Sequence, residues 1–93
     1  MFKTNDYFEG KVKSIAFETS EGNATIGAMA KGEYEFGTST VEYMTVTSGV
    51  MKVLLPGETV WKTYNEFETF IVEKDVKFKV KVEGDTSYKC LYK

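Results

Sequence analysis

Three glutamates close together in the chain, Glu33, Glu35 and Glu42, are the side chains best placed to do chemistry. Glu33 and Glu35 are two residues apart, which on an extended backbone puts both carboxylates on one face. Lys13 with Ser14 offers an ammonium beside a hydroxyl, and Tyr34, Tyr64, Tyr88 and Tyr92 offer aromatic surface. What is missing narrows the chemistry as much as what is present. There is no histidine, and all 12 cationic residues are lysine. The chain therefore has no imidazole base, no imidazole metal ligand and no guanidinium fork. Reactions must run on carboxylates, ammoniums, hydroxyls and backbone N–H groups. Cys90 is the single cysteine, too few sulfurs for a transition-metal site. Three glutamates could hold Mg²⁺ or Ca²⁺ only with further oxygen ligands, so no metal is expected.

The elements that must position these residues are strands. Period-two alternation recurs along the chain, while helical periodicity is nearly absent. Val76, Phe78, Val80 and Val82 alternate with Lys77, Lys79 and Lys81, the pattern of a strand with one buried and one wet face. The lysine row reads as a solvated face that discourages edge pairing. Further strands are predicted over Lys11–Phe17, Ala24–Ala30, Tyr34–Phe36, Glu42–Thr47, Met51–Leu55, Thr59–Tyr64 and Thr69–Val72, with a weaker one through Tyr88–Tyr92. Glu21-Gly22-Asn23, Lys31-Gly32, Ser48-Gly49, Pro56-Gly57 and Glu83-Gly84-Asp85 mark the reversals. Eight or so short strands without a helix imply one all-β domain over residues 1–93, a closed barrel or a sandwich.

Composition fits that reading. Ninety-three residues with 42% hydrophobic content, seven Phe, six Tyr and one Trp can bury a core in one small domain. A net charge of −2 gives no nucleic-acid footprint. No apolar run is long enough to span a bilayer, no leader pattern is present, and the lone cysteine suits a reducing compartment. A soluble cytoplasmic domain is expected, and exposed strand edges in so small a barrel suggest a homodimer.

The direction of the glutamates has two readings. Taken alone, the segment Glu33-Tyr34-Glu35-Phe36 sends its aromatics to the core and its carboxylates to water. Glu42 shares its face with Met44 and Val46, so it is expected to point inward. A second reading comes from spacing. Gly27 is followed after five residues by Glu33-Tyr34-Glu35, and Glu42 is followed after six by Gly49. This frame is similar to the first motif of the cupins, with glutamate where the two histidines stand, and with a longer gap before Glu42. In cupins the corresponding positions point into the barrel.

A closer resemblance covers essentially the whole chain. Asn5-Asp6-Tyr7-Phe8-Glu9-Gly10-Lys11-Val12-Lys13-Ser14-Ile15 resembles the start of the single-domain pyrimidine/purine nucleoside phosphorylases of bacteria. Gly32-Glu33-Tyr34-Glu35-Phe36, Glu42-Tyr43-Met44-Thr45-Val46, Val53-Leu54-Leu55-Pro56 and Thr86-Ser87-Tyr88-Lys89-Cys90-Leu91-Tyr92 resemble later segments in the same order. The resemblance implies a cupin-type antiparallel jelly-roll barrel. It also implies phosphorolysis of purine and pyrimidine ribonucleosides, with inorganic phosphate as co-substrate and no cofactor. Under it, Lys13 and Ser14 would cradle phosphate, Glu42 and Glu33 would be catalytic, and Glu35 would bind the nucleoside. Tyr34, Tyr64, Tyr88 and Tyr92 would be candidates to stack the base. Relatives often carry a Pro-Gly-His-like turn where this chain has Glu73-Lys74-Asp75, which puts any role of that turn in doubt. A cupin module that binds a nucleoside or sugar without turnover is the alternative, since the chain lacks the arginine and histidine that most phosphate sites use.

Overall fold

The computed structural model describes residues Met1–Lys93. Ten strands follow one another: β1 (Lys3–Tyr7), β2 (Val12–Thr19), β3 (Gly22–Met29), β4 (Gly32–Gly37), β5 (Glu42–Ser48), β6 (Met51–Leu54), β7 (Lys62–Tyr64), β8 (Thr69–Val72), β9 (Lys77–Val82) and β10 (Thr86–Tyr92). A single 3₁₀ turn, Phe8–Gly10, joins β1 to β2, and there is no α-helix. The strands form a six-stranded sheet in the order β1-β2-β3-β10-β5-β8 and a four-stranded sheet in the order β4-β9-β6-β7. Every pairing is antiparallel. This is the expected all-β jelly-roll barrel of cupin type.

The core lies between the sheets, and alternation decides who enters it. Val12, Met29, Met44, Val46, Phe70, Val72, Tyr88 and Cys90 project from the larger sheet. Tyr34, Met51, Val53, Phe78, Val80 and Val82 project from the smaller one. Each large apolar side chain removed from water contributes roughly 1.5–3 kcal/mol, so aromatics and β-branched residues claim the inner face wherever a strand offers a choice.

That preference settles the glutamates and corrects the cupin-frame expectation for two of them. On β4, Tyr34 takes the inner face and is almost fully buried, while Glu33 and Glu35 are exposed. Their register partners on β9 are Lys81 and Lys79, so opposite charges face each other across the outside of the sheet. An inward carboxylate here would displace an aromatic and lose hydration without a donor in return.

Candidate active site

One end of the space between the sheets stays open. It forms a cavity of about 360 Å³, walled by Ser14 of β2, Glu42 and Met44 of β5, Phe36 of β4, and Tyr88, Cys90 and Tyr92 of β10. Tyr7 and Phe8, at the end of β1 and the start of the turn, close one side of its mouth. The larger sheet sets the wall by register alone. Ser14 lies opposite Gly27, Gly27 opposite Tyr88, Cys90 opposite Met44, and Tyr92 opposite Glu42.

Gly27 has a specific reason to be glycine. A Cβ there would fall 2.6 Å from the Tyr88 hydroxyl oxygen and 2.6 Å from the Lys13 carbonyl oxygen. The missing side chain is the space in which the tip of Tyr88 lies. The Ser14 hydroxyl accepts a hydrogen bond of 3.2 Å from Asn5 Nδ2. The hydroxyls of Tyr92 and Thr25 are 3.0 Å apart and share a hydrogen bond.

Glu42 is the only carboxylate set into the inner wall. The Cys90 thiol donates to its Oε1 at 3.4 Å, and it has no other side-chain hydrogen-bond partner. Burial raises its pKa, and the weak thiol hydrogen bond only partly offsets this. Burial also pushes the Tyr88 hydroxyl up to about 12 and raises Cys90 and Tyr92. At neutral pH the wall therefore carries hydroxyls and a thiol, with no phenolate or thiolate. No lysine lines the cavity.

The other sequence-nominated residues are dispersed. Lys13 and Ser14 are neighbours on one strand and so face opposite sides of it. Ser14 is buried at the cavity, whereas Lys13 is exposed, 3.7 Å from Asp6 Oδ1, with its stem against Gly10. The paired cradle expected of these two residues is not assembled. Tyr34 lies in the core, its hydroxyl donating to the Ala30 carbonyl at 2.6 Å, and does not line the cavity. Tyr64 is on β7, its ring 4.8 Å from that of Phe70, also outside the cavity. Tyr88 does line it, as do Glu42 and Ser14. Glu35 reaches only the rim and Glu33 is absent from it. No three carboxylate, thiol or imidazole groups converge anywhere.

Tyr7 and Phe8 escaped the sequence reading. Phe8, Glu9 and Gly10 have φ of +53°, +59° and +85°, three consecutive residues in left-handed backbone. For the two non-glycine residues this costs about 1–2 kcal/mol each. Only Gly10 hinted at such a turn in the sequence. A larger groove, about 1010 Å³, runs over the outer face of the six-stranded sheet beside Phe2, Ile15, Phe17, Ala24 and Ile26. It is a mostly apolar surface with one carboxylate, Glu18.

The cavity thus offers one half-buried acid, several hydroxyls and aromatic walls. The pyrimidine/purine nucleoside phosphorylase family matches residues 2–92. The chain belongs to that family. A pyrimidine/purine nucleoside phosphorylase of Alcanivorax borkumensis is 60% identical over 92 residues, covering 99% of this chain and 98% of the relative. A Vibrio parahaemolyticus protein of unknown function superposes with a TM-score of 0.93 at 41% identity, covering 97% of this chain and 96% of that one. A putative ethanolamine utilization protein of Salmonella typhimurium shares the fold at a TM-score of 0.74 and 12% identity, with 97% and 91% covered. As a nucleoside phosphorylase family member, the chain joins its family name to a cavity whose charged chemistry is concentrated in Glu42.

Proposed function

We propose that this protein catalyses phosphorolysis of purine and pyrimidine ribonucleosides, with broad acceptance of the base. The observation that carries the reading is the family match over nearly the whole chain together with the inward Glu42. In this reaction a phosphate oxygen forms a bond to C1′ as the C1′–N bond breaks. Its electron pair leaves with the base, which takes up a proton, and ribose 1-phosphate remains. The sugar passes through an electron-deficient, oxocarbenium-like state, by analogy with glycoside cleavage. A Glu42 carboxylate against that centre stabilises the developing charge in surroundings where water screens little. Ser14 and Tyr88 supply hydroxyl donors to the ribose or to phosphate. Lys13 contributes to phosphate binding in this scheme by leaving Asp6 and reaching over the turn. Glu33, on the outer face and away from the cavity, has no place in it, and Glu35 stands only at the rim.

The reaction is proposed to need no metal, because nitrogen ligands are absent and the carboxylates do not cluster. The protein is proposed to work in the cytoplasm as a homodimer, with a second copy covering the apolar outer face of the larger sheet. A non-catalytic nucleoside-binding module is the second reading, favoured by one observation: no cationic side chain lines the cavity.

The decisive experiment incubates the protein with uridine, inosine and adenosine, with and without inorganic phosphate, before and after exhaustive chelation. Phosphorolysis requires base release only with phosphate, matched in amount by ribose 1-phosphate and unaffected by chelator. Release without phosphate would mean hydrolysis. Nucleoside binding without release would favour the binding module, and loss of activity to chelator, restored by one divalent ion, would overturn the metal-free mechanism.

A further inference from the structure

Phe8 stands in strained backbone, yet its burial does not account for the strain. Its ring packs 4.9 Å from that of Tyr34, tilted by 50°, and 5.6 Å from that of Phe36, edge-on at 89°. With two aromatic rings packed against it a core position would be expected, but Phe8 is 42% exposed. Part of its surface is left free at the mouth of the cavity that holds Glu42. Tyr7 beside it is also exposed and lines the same mouth. Glycine would occupy φ of +53° without cost. A large ring kept there, half in water, is an aromatic surface presented to something that is not part of the chain.

We infer that Phe8, braced from behind by Tyr34 and from the side by Phe36, is the platform on which the nucleobase stacks during the reaction. The inference rests on the phosphorylase reading for its substrate class and adds a residue to it. Stacking uses the π-face, which every purine and pyrimidine has, and makes no demand on the edge pattern of the base. A hydrocarbon ring suits this better than tyrosine, because it offers no hydroxyl to prefer one edge. The hydroxyls and the carboxyl of the inner wall, Ser14 of β2, Glu42 of β5 and Tyr88 and Tyr92 of β10, are left to the sugar and phosphate. Phe8 is thus a specificity-determining residue by omission: it holds the base without reading it.

The test replaces Phe8 with Gly, with Leu and with Tyr. Phe8→Gly removes the ring while relieving the backbone, so the fold is expected to survive, which its melting temperature checks. Loss of base stacking costs roughly 5- to 150-fold in nucleoside affinity. The expected result is a KM for inosine and for uridine raised together within that range in Phe8→Gly. The KM for phosphate should stay within about twofold, Phe8→Leu should fall between Phe8→Gly and wild type, and Phe8→Tyr should hold nucleosides more tightly than Phe8→Leu while no longer treating inosine and uridine alike. Wild-type turnover combined with an unchanged nucleoside KM in Phe8→Gly overturns the platform and leaves the phosphorylase reading intact. An equal rise in the phosphate KM also overturns it, since that marks a collapsed mouth. Should the wild type show no turnover, the phosphorylase reading fails separately. Equilibrium dialysis with inosine and uridine then carries the test, with weakened binding of both in Phe8→Gly supporting the platform. Undiminished binding in the variant, or none in the wild type, would sink it.

Discussion

Burial holds the Glu42 carboxyl protonated to higher pH than a solvated glutamate, and the Cys90 thiol is too weak a donor to reverse this. In the unfolded chain Glu42 ionises in the ordinary range, so the folded state keeps its proton where the unfolded state has lost it. The linkage sign follows: no penalty applies below the unfolded pKa, and stability is lost as pH rises through the raised folded value. Glu42→Gln should therefore melt higher than wild type at pH 7–8, with the difference shrinking to nothing near pH 4. A difference in melting temperature independent of pH would trace the effect to packing instead of ionisation. The same variant should lose on the order of 10²-fold or more in kcat, because the charge it removes acts mainly in the transition state. Activity of the wild type should rise with pH as Glu42 ionises, while thermal stability falls. Glu42 was legible in the sequence because Met44 and Val46 fix its face. Its thiol partner was not, since Cys90 is 48 positions away and only strand order brings the two together.

Strands β2 to β10 were readable from alternation, and β1 was not. Lys3–Tyr7 is an edge strand with no residue buried, so it has no apolar stripe to betray it. Predicted strand Thr59–Tyr64 shortens to Lys62–Tyr64, where pairing with β6 begins. The glutamate pair on β4 shows where motif spacing and burial energetics part. The spacing pointed inward, and two aromatics on the opposite face outweighed it. Between β3 and β10 the fit is tighter than alternation can express. Gly27→Ala would press a methyl against Tyr88 and against a backbone carbonyl that cannot move aside. We expect a loss of about 1–3 kcal/mol, read by denaturant unfolding. Activity should fall too, because the Tyr88 tip must shift within the cavity. Wild-type stability in this variant would mean the two strands give way more easily than their register suggests.

At the scale of the molecule, the larger sheet has two faces with different fates. Its inner face makes the core and the cavity, while its outer face shows Ile15 beside Ile26 in register, and Ile71 further across. Ile15, Ile26 and Ile71 are each close to half exposed. A second copy laid over this face would bury them, and light scattering at micromolar concentration should give the mass of a dimer. Ile26→Asp should give the monomer mass with little change in fold, since the residue supports no core contact. A wild-type monomer at these concentrations would remove the dimer from the account.

The position of β10 also governs how the molecule comes into being. It is the last strand in the chain, yet it sits between β3 and β5 and joins the two halves of the larger sheet. Until it arrives, β1-β2-β3 and β5-β8 are separate ribbons with open edges, and the cavity lacks Tyr88, Cys90 and Tyr92. Closing the sheet means pairing residue 91 with residue 24 and residue 92 with residue 42. Such distant pairings are formed late and slowly, in the range of roughly milliseconds to seconds for β-rich domains of high contact order. Docking of β10 therefore closes two open edges and supplies one wall of the cavity together, so the larger sheet and the site are completed in one step.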